Sequence, residues 1–360
     1  MKKYDIEKYI EKVKSGELEN KSVGGSPCYI FDEDNVVLVK YKNYAQYGTA
    51  RSDIKIVKEK IDALADEGVP CICRILETQD EIEGDKSICW VLEEKAKGKP
   101  CTEYRDMNSV EDEAIADLAN YPEIQYLGTD QHIVNGVPYE HIKDMVYATS
   151  ELLKADIGLE PKHKNVFYDA DPKNGGFTHI DYLYHKNLTN NLCPWETSTL
   201  VMGFAMATLM DTLPKSATQK VRQQMVENLK KAAYKVIPEY QAYKPWIEKE
   251  VPTNDPEGMK KYVEGLEKMR KEEIDRNVRL IKNGEKEIWN CRPSRVLLEN
   301  IEYIPPKKVD LSRVRDDSDW LSETVEEATK RAFVDEMQAE IKSLLKESEK
   351  SNKPDSYQMS

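Results

Sequence analysis

The chain has 360 residues and is acidic: 66 Asp and Glu against 53 Lys and Arg give a formal net charge of -13. That balance excludes a general nucleic-acid binder, which carries a basic patch or stripe. No apolar run approaches the roughly 20 residues of a membrane span, and the charged N-terminus, MKKYDIEKYIEKVKSGELEN, lacks the hydrophobic region of a signal peptide. The length suits two or three domains, each with its own core. Seven cysteines without a CxxC pair read as reduced, mostly buried thiols of a cytoplasmic protein, with no zinc expected.

Residues 5–14 place Ile6, Tyr9, Ile10 and Val13 at helical spacing and predict a helix that caps the fold. Gly24, Gly25 and Ser26 form a glycine turn ahead of two β-rich runs, Cys28–Phe31 and Val36–Tyr41. Such a turn can bring backbone N–H groups up to phosphate oxygens. Lys40 closes the run Val37-Leu38-Val39-Lys40, and a strand lysine can pair with phosphate as a point charge. Lys42 shares its face and competes for the role. Ser52 or Asp53 caps a predicted helix that ends at Gly68, with Ile54, Val57, Ile61, Leu64 and Ala65 as its apolar stripe. Glu59, Asp62 and Asp66 flank the stripe. Glu59 has the longest reach toward Lys40, whereas Asp62 lies nearer the stripe's edge.

Val69–Leu76 and Ser87–Leu92 read as strands joined by an acidic turn, ETQDEIEGDK. The polar stretch EEKAKGKPC then reads as a hinge before helix-rich sequence at Asp112–Leu118 and His141–Leu153. Next come two apolar runs, Val166–Tyr168 and Phe177–Ile180, around a loop from Asp169 to Gly176 made of turn-forming residues. They predict a β-hairpin with Asn165 and Asp181 facing each other across its open end. An amide oxygen and a carboxylate so placed can share one hard cation such as Mg²⁺, which takes oxygen ligands and usually binds phosphates as well.

This order of elements resembles the protein-kinase-like fold, which includes atypical kinases and aminoglycoside and choline phosphotransferases. The resemblance covers roughly residues 20–250 and rests on order and spacing. It implies an α+β, bilobal protein: a small β-rich N-lobe with one main helix at 1–94, and a large helical C-lobe carrying the catalytic-type hairpin at 95–250. Lys40 resembles the lysine of the VAIK-type strand, Glu59 falls at the spacing of its helix partner, Asn165 resembles the metal-binding Asn of the catalytic loop, and Asp181 in HIDYL resembles the metal-binding Asp of the DFG-like motif. ATP and Mg²⁺ are the implied cofactors, and the implied reaction is phosphoryl transfer to a small molecule or a protein. The family's catalytic Asp lies five residues before the Asn; here that position is Glu160, preceded two residues earlier by Gly158 rather than His. Asp156 is the alternative proton acceptor. These departures, with a short glycine turn, carry the alternative of a pseudokinase acting as a nucleotide-binding or protein-interaction module.

Thr197–Leu213 predicts a buried helix, followed by helices at Ser216–Val236 and Gln241–Glu250. A helical extension, 251–347, is expected beyond a VPTNDPEG linker: a charged helix at Met259–Asn283, a strand or turn region around PSRVLLENIEYIPPKKVDLSRV, and a helix at Asp319–Ser348. One apolar face of that last helix needs a cover, which the large lobe or a protein partner would supply. Residues 348–360 are expected to be a disordered tail.

Overall fold

The computed structural model describes residues 4–21, 26–42, 54–83, 86–101, 136–159, 165–171, 173–184, 188, 192–214, 217–304 and 325–351. Gly24, Gly25, Glu160 and the helix expected at Asp112–Leu118 lie outside the described residues. The architecture is mixed α+β, with a small antiparallel sheet near the N-terminus and helices toward the C-terminus. Two compact units divide the chain: residues 1–189 with 197–241, and residues 190–196 with 242–360.

The first unit opens with α1 (Ile6–Lys14), then β1 (Cys28–Phe31), β2 (Val36–Lys42), α2 (Ile54–Asp66), β3 (Ile75–Glu83) and β4 (Lys86–Glu94). The four strands form one antiparallel sheet in the order β1-β2-β4-β3. Side chains alternate along each strand, so the sheet carries two different cores. On one face Phe31, Val36, Leu38, Ile88, Trp90 and Leu92 close on Ile6, Tyr9 and Ile10 of α1. On the other, Tyr41, Cys89 and Val91 join Val57, Ile61 and Leu64 of α2. Burying each of these aliphatic side chains contributes about 1.5–3 kcal/mol, which is why α2 docks through the stripe read from its spacing.

Two expectations need correction here. The acidic ETQDEIE is strand rather than turn: β3 runs through it in register with β4, leaving Ile82 80% exposed near its end. Ladder bonding to a strand of equal length outweighs the weak β-propensity of Glu and Asp. Residues 69–74, expected as strand, instead cross to a second sheet: Ile72 bridges His179 in parallel, and His179 N–H donates to the Cys71 carbonyl at 2.8 Å.

That second sheet has the order β5-β7-β8, from β5 (Lys99–Pro100), β7 (Val166–Asp169) and β8 (Gly176–His179). A separate pair joins β6 (Ile157–Leu159) to β9 (Tyr182–Tyr184). Between β5 and β6 lies α3 (Tyr139–Lys154). Gly98 leads into β5 with φ +77°, and a Cβ there would stand 2.0 Å from the Tyr168 carbonyl oxygen, so only glycine fits. After β9 come α4 (Pro194–Thr212), α5 (Gln219–Val236) and α6 (Pro238–Ile247), and α3 packs on α5. Thr218 caps α5 by accepting from Val221 N–H.

The second unit is built on α7 (Pro256–Lys282) and α9 (Val325–Ser351), which pack together, with α8 (Arg295–Glu299) between them in sequence. Asp255 caps α7 with Pro256 at its first position. Trp195, Leu266, Met269, Phe333, Met337 and Ile341 form the core. Arg270 of α7 reaches Glu336 at 3.2 Å and Glu340 at 2.8 Å on α9, with its guanidinium over the Phe333 ring. The region expected as strand or turn from Pro293 is helical at its start: Ser294 caps α8 by accepting from Leu297 N–H, and a 3-10 turn follows at Ile301–Tyr303. α9 continues to Ser351, four residues into the expected tail.

None of the seven cysteines is in a disulfide. Among the described residues no helix is long and apolar enough to cross a membrane.

Candidate functional site

The β7–β8 hairpin forms as expected, with Val166 opposite His179 and Asp169 opposite Gly176. This register sets Asn165 across from Ile180 rather than Asp181, and Ile180 N–H donates to the Asn165 carbonyl at 3.0 Å. Asp181 is one residue beyond the ladder, in a left-handed backbone conformation with φ +58°. The turn swings its carboxylate back, so Asn165 Nδ2 donates to Asp181 Oδ2 at 3.2 Å. Two residues 16 apart in sequence thus meet at the open end of the hairpin. A half-turn of the Asn165 amide would exchange Nδ2 for Oδ1 and aim two oxygens at one point. That donor set fits a hard divalent cation such as Mg²⁺.

Non-glycine residues reach φ near +60° at a cost of about 1–2 kcal/mol each, so the turn at Asp181 must be over-determined. Its supports went unread in the sequence. Tyr182 is buried and its hydroxyl donates to the His179 carbonyl at 2.6 Å while accepting from Cys73 N–H at 2.8 Å. Cys71, itself at φ +60°, accepts from His179 N–H. His179 is fully buried beside Thr149 and Phe204, and burial pushes its pKa down to about 4. The one available signal was the aromatic residue directly after Asp181.

The other expected participants are placed differently. Lys40 lies opposite Trp90 in the β2–β4 ladder, with Nζ 5.1 Å from the Trp90 ring centroid. Trp90 belongs to the core under α1, so Lys40 points to the face of the sheet away from α2. Trp90 Nε1 donates to Glu81 at 2.7 Å, and Glu81 also pairs with Lys14. The Lys14 ammonium, then the Trp90 hydrogen bond, hold the Glu81 carboxyl below its usual range, with Lys40 adding a smaller effect. Glu59 is exposed on α2. The expected Lys40–Glu59 pair is therefore not formed, because strand alternation puts Val39 and Tyr41, not Lys40, on the side of α2. Asp62, the competing carboxylate, pairs with Lys58 at 2.6 Å on its own helix.

Asp156 also falls away from the pair. It follows α3 with φ +61° and lies 3.9 Å from Lys60. Leu159 pairs with Tyr182 and Ile157 with Tyr184, so Asp156 sits four positions along the strand from the level of Asp181, roughly 13 Å at a strand's rise. It cannot take a proton from a hydroxyl held at Asp181. Of the glycine turn, only Ser26 is described, in a bend two residues ahead of β1.

A cavity of about 430 Å³ opens at the opposite, tip end of the hairpin, lined among others by Cys71, Glu94, His141, Asp144 and Asp169. Neither Asn165 nor Asp181 lines it. His141 Nδ1 lies 3.1 Å from the Tyr168 hydroxyl, and burial lowers its pKa while Asp144 opposes the shift. Burial raises the Asp144 carboxyl, and neighbouring Lys143 partly offsets this.

No protein-family model matches the chain, and no curated protein matches it.

Proposed function

We propose that the first unit is a protein-kinase-like module that binds a Mg²⁺–nucleotide through Asn165 and Asp181 without efficient phosphoryl transfer, a pseudokinase in role. The observation that carries this reading is the 3.2 Å contact between Asn165 and Asp181 at the open end of the hairpin. The surrounding order supports it: a sheet with α1 on one face and α2 on the other, a linking segment, then the β7–β8 hairpin set between the paired strands β6 and β9. In kinases the metal-binding Asn and Asp act together with a strand lysine on the phosphates. Here the inward face of β2 carries Val39 and Tyr41, and Lys40 lies over Trp90. The residues that would hold the cation are thus together, while the lysine that would neutralise transferred phosphate is turned away. When bound, Mg²⁺ would supply charge neutralisation of the phosphates. Asn165 and Asp181 would fix its position, and Tyr182 would hold the Asp181 turn.

Thermal unfolding with ATP, at several Mg²⁺ concentrations, tests the reading. ATP at 100 times its dissociation constant stabilises the binding-competent fold by about 2.7 kcal/mol. The expected result is a shift that needs both ATP and Mg²⁺ and is lost in Asp181→Asn. No shift under any condition would leave only the order of elements in common with kinases.

An active phosphotransferase is the second reading, and the same Asn165–Asp181 pair favours it. Its proton acceptor would be Glu160, which lies outside the described residues. ATP turnover that disappears in both Asp181→Asn and Glu160→Gln would establish transfer in place of the non-transferring role.

A further inference from the structure

The second unit contains a group of side chains that the nucleotide reading does not use. Cys193 is buried just ahead of α4, Glu196 lies in the first turn of that helix, and Glu273 is in the middle of α7. One ligand atom from each lies within 4.8 Å of the others. The three come from positions up to 80 apart in the chain, so no sequence spacing announces them.

Protein donors hold the outer edges of this group. Glu196 Oε2 accepts from Cys193 N–H at 2.7 Å and from Arg276 at 3.1 Å. Glu273 Oε2 accepts from Ser294 N–H at 3.1 Å. This leaves Glu273 Oε1, which is buried and accepts no hydrogen bond, on a side chain only 1% exposed; the Arg276 guanidinium is 3.7 Å from it. A buried carboxylate oxygen without a donor is destabilising unless a ligand satisfies it. One oxygen of each carboxylate is thus held by protein donors, as outer partners hold metal ligands, and Glu273 Oε1 is left for a ligand.

We propose that Cys193 Sγ, with one carboxylate oxygen each from Glu196 and Glu273, binds one divalent ion of the zinc class. A thiolate with two carboxylates is a mixed soft and hard donor set that suits zinc and its spectroscopic substitute cobalt. Three anionic ligands are balanced by the ion and the Arg276 guanidinium, so the filled site is neutral. Tetrahedral zinc distances of about 2.0–2.3 Å require ligand atoms about 3.4–3.7 Å apart, so the side chains need to close by at most about 1.4 Å. On binding, the Cys193 S–H bond breaks, a metal–sulfur bond forms, and the proton leaves to solvent. A fourth position is left for water or a ligand. The site is independent of the nucleotide reading.

The test is titration of the metal-free full chain with Zn²⁺ and with Co²⁺. One equivalent should bind, with thiolate-to-cobalt charge-transfer absorption and proton release. Cys193→Ser should abolish the absorption, and Glu273→Gln should weaken binding at least tenfold, whereas Cys73→Ser in the first unit should change neither. Absence of bound metal in the wild type would overturn the proposal and leave Arg276 as the centre of a buried ion-pair network. Persistence of the absorption in Cys193→Ser would also overturn it. Cys193→Ser alone decides the matter if Glu273→Gln does not fold.

Discussion

Lys40 and Trp90 face each other across the β2–β4 ladder, with the ammonium 5.1 Å from the indole centroid, on the side of the sheet that closes on α1. This one relationship separates a lysine that packs from a lysine that binds phosphate. Replacing Lys40 by Met should cost no more than about 0.5–1 kcal/mol, the size of a cation–π contact at a partly exposed site. The ATP- and Mg²⁺-dependent shift in melting temperature should be unchanged. Loss of that shift in Lys40→Met, with stability retained, would place Lys40 back at the nucleotide.

Asp181 combines a charge with a left-handed backbone, and two substitutions separate these. Asn tolerates the left-handed region, so Asp181→Asn should keep stability within about 1 kcal/mol of wild type and still lose the Mg²⁺-dependent part of nucleotide binding. Asp181→Ala should lose the same binding and an additional 1–2 kcal/mol or so from backbone strain. Chemical denaturation run alongside a nucleotide titration reads both. Equal stability of the two variants would mean that the turn relaxes on substitution.

Acid should destabilise the first unit partly through His141. Burial sets its folded-state pKa below the ordinary 6.5, so the unfolded chain holds the proton more tightly. The stability is fully present above about pH 6.5 and is lost as pH falls through that value toward the folded pKa. Urea unfolding between pH 7 and 5 should show the decline, and His141→Gln should reduce its slope. An unchanged slope would assign the acid sensitivity to other groups.

Gly98→Ala should be among the most damaging small changes in the chain. The added carbon would meet the Tyr168 carbonyl at 2.0 Å in a backbone conformation that alanine already disfavours. A loss of at least about 2 kcal/mol is expected, measured as the shift in the urea midpoint at constant slope. A variant as stable as wild type would mean that the segment ahead of β5 can move without cost.

The helices were legible because each buries a face at its own period: Val57, Ile61 and Leu64 on α2, or Phe333, Met337 and Ile341 on α9. The hairpin was legible from its turn residues, and Asn165 and Asp181 followed as its two ends. The acidic β3 reads as a turn because propensity ranks Glu and Asp low, while its ladder pairing with β4 depends on a partner that local sequence does not display. Asp156 looks like a candidate for a related reason: four positions along a strand are close in sequence but separate charged groups by more than a hydrogen bond can span.

By itself, the sequence determined the order of elements, the apolar stripes and the hairpin, since these depend on neighbours within a few residues. The tertiary structure decided the rest. It set the face of β2 on which Lys40 stands, because ladder register with Trp90 fixes alternation. It brought Tyr182 and Cys73 together beneath the Asp181 turn, because a hydroxyl and a backbone N–H 109 residues apart meet only once the crossing segment is in place. It assembled Cys193, Glu196 and Glu273, because side chains far apart in the chain meet through packing and not through spacing.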